Sequence, residues 1–254
     1  MALNIAIIGY GKMGKIIEKL AEDRKINVKA IIDPFIERKG KMYKEINKES
    51  MEGVDVCIDF TRPDVIMGNI KKLAEFKKYI VVGTTGWYDK EKEVRKIVSD
   101  SGIGFVYGSN FSIGVNLMFR ISAYAAGLFN RFREYDIYAY ELHHNQKLDS
   151  PSGTAIKLGD VLLKNFDRKK KLVIDRLNRR IEPDELHFAS VRGGSIPCTH
   201  VVGFDAPANN VEIRQTARGR EEFADGALQA AQWIAGKKGF YIFENMLDEI
   251  TGGD

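Results

Sequence analysis

Leu3-Asn4-Ile5-Ala6-Ile7-Ile8-Gly9-Tyr10-Gly11-Lys12-Met13-Gly14 decides the fold of this chain. Its first six residues form an apolar run of the length of one buried strand. Glycines follow at once, and then Ile16, Ile17, Leu20 and Ala21 recur at helical spacing. Residues 27–32 read as a second strand, closed by Asp33, 24 residues after Gly9. Strand, GxGxxG, helix, strand and acid is the order of a dinucleotide site. Gly9 permits the tight turn, Gly11 lets the backbone approach a pyrophosphate, and Gly14 lets the helix pack close to the strand. Lys12 and Met13 complete the turn into the helix, whose free N–H groups and dipole favour an anion. Asp33 would accept hydrogen bonds from a ribose diol. The same glycines also fit a strand-to-helix turn without a ligand; the acid at the expected separation favours the dinucleotide. No GxxxxGK[ST] pattern occurs, which excludes a P-loop.

Outward from this segment, strands and helices continue to alternate. Residues 54–60, 79–82 and 103–107 read as strands, and 61–76 and 91–99 as helices. This alternation implies a parallel sheet with helices on both faces. Ligands of such sheets bind beyond the carboxyl ends of the strands. Those ends carry Phe60-Thr61, Gly83-Thr84-Thr85 and Ser109-Asn110-Phe111. They fit a cofactor crevice, and each also fits a plain turn. The character changes near residue 113. A long helix over 115–129 and a strand over 136–142 precede a helix over 154–165. Strand-like runs at 172–177, 186–191, 199–204 and 211–216 follow, and a helix over 221–235 closes the order. The expected fold is α/β: a Rossmann-type domain over 1–112 and 220–254, and an α+β domain over 113–219 for substrate binding and oligomerisation. The second carries an open, mostly antiparallel or mixed sheet. An open sheet needs its free face covered, which predicts a homo-oligomer, a tetramer by preference.

At 254 residues the chain has enough length for two cores. A net charge of +4 is too small to imply nucleic acid, and the basic run 168–171 reads as a solvated loop. Neither Cys57 nor Cys198 fits a zinc spacing or a disulfide framework. No apolar run reaches 18 residues and no signal peptide is evident, so the sequence points to a cytoplasmic protein without membrane attachment.

Residues 141–155, Glu-Leu-His-His-Asn-Gln-Lys-Leu-Asp-Ser-Pro-Ser-Gly-Thr-Ala, carry the chemistry. Two imidazoles, an ammonium and a Ser-Gly-Thr turn at a helix start suit an anion-binding active site. Lys147 supplies charge, and Ser152, Gly153 and Thr154 supply N–H groups and hydroxyls. A polar surface loop leading to a capped helix is the plainer reading. If 142–145 stay extended, His143 and His144 point to opposite faces, so no shared metal is expected.

The chain resembles the 4-hydroxy-tetrahydrodipicolinate reductase (dihydrodipicolinate reductase) family along essentially its whole length. The GxGxMG start matches 9–14, the GTTG turn 83–86, and the ANFSxGVN-type segment 109–116. The signature E-x-H-H-x-x-K-x-D-x-P-S-G-T-A matches 141–155 throughout, and an RGG-x-x-P-x-x-H run matches 192–200. The resemblance implies NAD(P)H-dependent reduction of a cyclic, dicarboxylate-bearing, imine-type substrate in lysine and diaminopimelate biosynthesis. It also implies that Lys147 is the proton donor, that His143 is its polar partner, and that His144, Ser152, Gly153 and Thr154 hold the carboxylates. Three departures stand out. Gln215 replaces a late His, Gly219 replaces a Ser before Arg220, and Asp33 is followed by Pro34-Phe35 where many members have Arg. Without that Arg, and with Asp33 repelling a 2′-phosphate, dual cofactor use with NADH preferred is expected. Lys12, Arg38 and Lys39 are possible compensating charges. A related amino-acid dehydrogenase and a dinucleotide-sensing protein are the competing readings; only the reductase needs Lys147.

Overall fold

The computed structural model describes residues 2–252 and divides into two compact units, Met1–Ile113 with Arg220–Asp254, and Gly114–Gly219. The first unit begins with β1 (Asn4–Ile8), α1 (Lys12–Asp23), β2 (Asn27–Ile32) and β3 (Met42–Tyr43). It continues through β4 (Val56–Asp59), α2 (Ile66–Glu75), β5 (Tyr79–Val82), α3 (Glu91–Ser101) and β6 (Gly104–Tyr107). The second unit holds α4 (Ile113–Phe129, which starts at the boundary), β7 (Asp136–His143) and α5 (Gly153–Asn165). After these come β8 (Lys171–Val173), β9 (Glu185–Arg192), β10 (Thr199–Ala206) and β11 (Asn209–Thr216). The chain then returns to the first unit as α6 (Glu221–Ile234), β12 (Gly239–Ile242) and α7 (Phe243–Thr251).

Strand order in the first unit is β12-β6-β5-β4-β1-β2-β3, and every pair is parallel. The order reverses between β1 and β4, which opens a crevice at their carboxyl ends. Alternation along β1 divides the core in two. Ile5 and Ile7 face a layer containing Ile17 and Ala21 of α1, Ala227, Leu228 and Ile234 of α6, and Phe243 of α7. Ala6 and Ile8 face Ile66, Ile70 and Leu73 of α2 and Val94 and Val98 of α3. α2 starts five residues later than its pattern predicts, because Thr61 is held to Asp59 through its N–H and hydroxyl and residues 62–65 close a turn, with the Val65 N–H on the Arg62 carbonyl.

The second unit has sheet order β11-β10-β7-β9-β8. β10 pairs antiparallel with β7 and β11, whereas β9 pairs parallel with β7 and β8. The sheet is therefore mixed, for a topological reason: a helix between two strands of one sheet brings the second back in the same direction. Here α5 is the crossover from β7 to the edge strand β8, and β9 enters between them in the same direction. One face packs on Val115, Met118 and Phe119 of α4 and Leu158 and Leu162 of α5. Along β7 the inward residues are Ile137, Ala139, Glu141 and His143, so the apolar phase of the strand ends in two polar side chains.

Candidate active site

The crevice of the first unit is a cavity of about 400 Å³ that brings together Gly9, Gly11, Asp33, Phe60 and Thr61. The three glycines differ in role. Gly9 has φ +88°, and a Cβ there would lie 2.4 Å from the Phe60 carbonyl oxygen. A Cβ on Gly14 would lie 2.2 Å from the Gly9 carbonyl oxygen, so α1 starts against the turn. A Cβ on Gly11 would meet nothing within 4 Å. Gly11 is the N-cap of α1, with no side-chain cap. Exposed helix-start N–H groups beside open space are what a pyrophosphate requires. Lys12 and Met13 form the first turn, Lys12 exposed and Met13 half-buried on the core.

Asp33 lies on the crevice wall. Its carboxylate accepts the main-chain N–H of Tyr10 at 2.8 Å and of Phe35 at 2.9 Å. Two N–H donors fix its direction, and each oxygen retains lone-pair capacity for a diol. Phe35 is 86% exposed and lines the same cavity, as does Lys44. Arg38 is engaged elsewhere, paired with Glu49 and stacked 5.7 Å from the Tyr43 ring centroid.

The other strand-end residues divide between lining and support. Thr84 is buried, and its hydroxyl donates to Asp59 at 3.0 Å while accepting from the Thr61 N–H at 2.8 Å. Asp59 is fully buried and also takes the Thr61 hydroxyl at 2.7 Å and Asn69 Nδ2 at 2.8 Å. Burial pushes the Asp59 carboxyl up, against the pull of these donors. A single carboxylate thus cross-braces the loops after β4 and β5, a role the sequence reading missed. Gly83 is needed because the Phe60 ring lies where its Cβ would be. Thr85 is exposed. Ser109 lines a separate 260 Å³ pocket with Tyr88, Tyr107 and Glu244. The Asn110 side chain accepts the Ser112 N–H at 2.8 Å. The Phe111 ring is core, packed 4.8 Å from the Phe243 ring and 6.0 Å from that of Phe60.

In the second unit, residues 141–155 run from the end of β7 through a loop to the start of α5. Main-chain bonds from Gly193 to His143 and from Asn145 to Gly194 fasten the loop to the Gly193-Gly194 turn. β7 ends at His143, which is buried, while His144 is half-exposed in the loop. The His143 ring packs edge-on against that of His200 on the adjacent strand β10, with ring centroids 5.3 Å apart. Burial lowers the His143 pKa to about 4; Glu141 opposes that shift, while His200, Lys147 and Arg192 reinforce it. Lys147 Nζ contacts Asp149 Oδ1 at 2.7 Å. Ser152 caps α5, accepting the Ala155 N–H at 3.1 Å, so Gly153 and Thr154 begin the helix.

Glu141, His143 and His200 bring ligand-type atoms within 4.8 Å of one another. Arg192 Nη2 lies 2.7 Å from the Glu141 carboxylate, which also accepts from Ser152 and Ser190. Burial pushes the Glu141 carboxyl up, but its contacts with His200, Ser152, Arg192 and Ser190 outweigh this and hold it well below the usual carboxylate range. A guanidinium on the same carboxylate is a poor neighbour for a cation, so the donor set suits an ion pair better than a metal. Glu141, Ser190, Arg192 and His200 were given no role from sequence. The available signal was phase: Glu141 stands two residues after Ala139 and four after Ile137, on the buried face of a strand.

Residues 3–111 match the family model described as dihydrodipicolinate reductase, N-terminus, and residues 114–247 that described as dihydrodipicolinate reductase, C-terminus. The chain is similar to the 4-hydroxy-tetrahydrodipicolinate reductase of Christiangramia forsetii, at 34% identity over 98% of this chain and 99% of the relative. It is also similar to the protein of that name from Buchnera aphidicola subsp. Baizongia pistaciae, at 35% identity over 92% of this chain and 93% of the relative. Among solved structures, a dipicolinate-bound dihydrodipicolinate reductase from Paenisporosarcina sp. TG-14 shares the fold. Its TM-score is 0.79 at 23% identity, over 96% of this chain and 99% of that one.

Proposed function

The chain belongs to the dihydrodipicolinate reductase family, and from that premise we propose how its residues carry the family's reaction. This is the NAD(P)H-dependent reduction of 4-hydroxy-tetrahydrodipicolinate to tetrahydrodipicolinate in lysine and diaminopimelate biosynthesis, in which the 4-hydroxyl leaves as water to give the conjugated imine that takes the hydride. The observation that carries the account is the complete signature at 141–155, folded as a strand end, a braced loop and a helix start.

The open space at Gly11, the uncapped start of α1 and the carboxylate of Asp33 fit a dinucleotide. Gly9, Gly11, Lys12, Met13 and Gly14 would hold the pyrophosphate. Asp33 would hold the ribose, and Phe60, Thr61, Gly83, Thr84, Thr85, Ser109, Asn110 and Phe111 would shape or support the rest of the crevice. When bound, the nicotinamide supplies a hydride. In the second unit the start of α5, capped by Ser152 and led by Gly153 and Thr154, receives the substrate carboxylates together with His144. Lys147 stabilises the negative charge that builds on the conjugated imine and donates the proton to the enamine from Nζ. Its present partner, Asp149, is 58% exposed in the side chain. An exposed pair of this kind contributes only about 0–1 kcal/mol, so exchanging it for substrate costs little. His143, with its pKa near 4, is neutral at neutral pH and serves as a polar partner rather than an acid.

Both NADH and NADPH serve, with NADH preferred. Asp33 is fixed by two N–H donors where a 2′-phosphate would lie, Arg38 is committed to Glu49, and Lys44 remains as a nearby compensating charge. The protein works as a cytoplasmic homotetramer. β11, exposed along most of its length at the sheet edge, supports assembly through this sheet. No helix among the described residues is long and apolar enough to cross a membrane.

The test is loss of reduced-nicotinamide absorbance on mixing the protein with NADH or NADPH and freshly condensed aspartate semialdehyde and pyruvate. Oxidation is expected with both, faster with NADH. Cofactor binding without oxidation would overturn the reading.

A further inference from the structure

Glu141 is a fully buried carboxylate in a site built to receive carboxylates. Like charges repel there, so its presence needs a physical reason. Its oxygens accept the Ser152 main-chain N–H at 3.0 Å, the Ser152 hydroxyl, the Ser190 hydroxyl at 2.9 Å and Arg192 Nη2 at 2.7 Å. His200 Nε2 lies 3.5 Å away. The register explains the convergence: Ser190 and His200 are the direct cross-strand partners of Glu141 on its two sides, and Arg192 is the partner of His143.

Ser152 has two hydrogens to give, one on nitrogen and one on oxygen. Both go to Glu141, while the oxygen also accepts the Ala155 N–H. Ser152 therefore has no donor left for a ligand. The next two N–H groups, of Gly153 and Thr154, have no intrahelical acceptor, as in the first turn of any helix, and their direction follows from how Ser152 is held. Arg192 is engaged in the same way. Its Nη2 bridges Glu141 and the Asp149 carbonyl at 2.8 Å, which ties the Lys147 loop to the same carboxylate. The guanidinium also cancels the charge of Glu141, so the buried anion does not oppose a dianionic ligand.

We propose that Glu141 is a positioning residue. Through Ser152 it aims the Gly153 and Thr154 N–H groups at one substrate carboxylate, and through Arg192 it fixes the loop that carries Lys147. Ser152 acts as its arm and not as a ligand contact. The proposal rests on the reductase reading, since it concerns where that substrate's carboxylate is received.

The test uses the full-length enzyme with Glu141→Gln and Ser152→Ala. The measurements are kcat, substrate KM, NADH Kd, and inhibition by pyridine-2,6-dicarboxylate and by pyridine-2-carboxylate. Gln keeps the size of the side chain but removes the charge and replaces an acceptor by a donor. In Glu141→Gln, substrate KM and the dicarboxylate inhibition constant are expected to rise by about tenfold to a hundredfold. NADH Kd should stay within about twofold, and the preference for the dicarboxylate over the monocarboxylate should shrink. Ser152→Ala should shift the same quantities, but less. Should Glu141→Gln fail to fold, Ser190→Ala takes its place, because it removes a bond to Glu141 from a side chain that holds no substrate group. Folded variants with wild-type KM and undiminished dicarboxylate preference would overturn the proposal. So would a larger effect in Ser152→Ala than in Glu141→Gln, since that would make Ser152 the ligand contact. A wild-type protein inert toward the substrate would overturn the reductase reading and the proposal with it. An active wild type with unaffected variants would overturn the proposal alone.

Discussion

Gly11 and Gly14 are three residues apart in one motif, yet alanine at each should do opposite things. At Gly14 the new methyl would stand 2.2 Å from the Gly9 carbonyl oxygen and 3.3 Å from Ile7 Cγ2. A carbon–oxygen contact needs roughly 3.3 Å. The obstruction is backbone, so the start of α1 must move by about 1 Å. Overpacking costs about 1–3 kcal/mol, and against a backbone atom that cannot rotate aside the upper part of that range, about 2–3 kcal/mol, applies. Alanine returns roughly 1 kcal/mol of helix propensity, which leaves a net loss of about 1–2 kcal/mol. At about 2–4 °C per kcal/mol for a chain of this size, Gly14→Ala should melt roughly 2–8 °C below wild type. At Gly11 there is nothing within 4 Å and φ is −78°. Loss of a modest N-cap and reduced freedom of the unfolded chain offset one another to within about 0.5 kcal/mol. The methyl would instead fill the space assigned to the pyrophosphate, so NADH should bind at least about tenfold more weakly, a loss of about 1.4 kcal/mol. Differential scanning calorimetry without ligand and a fluorescence titration with NADH measure the two effects. Wild-type NADH affinity in Gly11→Ala, or a wild-type melting temperature in Gly14→Ala, would refute this assignment.

Lys147→Ala should lower kcat by about a hundredfold or more while leaving NADH Kd unchanged, as loss of a proton donor requires; stopped-flow traces with both substrates present would expose the error if turnover persists. Asp33→Ser removes the charge facing a 2′-phosphate and should raise the NADPH-to-NADH ratio of kcat/KM by about tenfold; an unchanged ratio would place cofactor choice elsewhere. Burial holds His143 near 4 against an ordinary 6.5, so the unfolded chain takes up a proton there that the folded chain refuses. That contribution is fully present above 6.5 and is lost as pH falls towards 4, by about 3 kcal/mol at most. Melting curves of wild type and His143→Gln should therefore converge on acidification, and a constant gap between them would count against a buried neutral imidazole.

What could be read from the sequence was set by the range of the interactions involved. β1, the glycine turn, α1 and β2 are local and periodic, and the 91–101 and 221–234 helices show their buried faces as repeats. β3 is two residues long and β12 four, half-buried at every position, so neither offers a period to read. β12 is a strand only because β6 lies alongside it, 135 residues earlier in register. β8 stops at Val173, short of the predicted 177, and Arg179 just beyond it is paired with Glu185 of β9. The site divides along the same line. The signature residues are contiguous and were legible as a chemistry. The partners of Glu141 arrive from 11, 49 and 51 residues away and were not. Phe111 and Thr84 occupy strand-end positions that fit a ligand crevice, but folding turns the first into core and spends the hydroxyl of the second on a buried carboxylate.

The return of α6 to the first unit has a consequence for synthesis. Ala224, Ala227, Leu228 and Ile234 cover the sheet face that includes Ile5, Ile7, Val81 and Val106. Those strands leave the ribosome well before their cover does, because all of Gly114–Gly219 is made in between. At about 5–20 residues per second, that interval lasts on the order of 5 to 20 s. For that time the nascent chain carries a nearly complete parallel sheet with one apolar face covered only by α1, while the inserted unit can already collapse on its own core. A stop codon anywhere before residue 221 would make that exposure permanent.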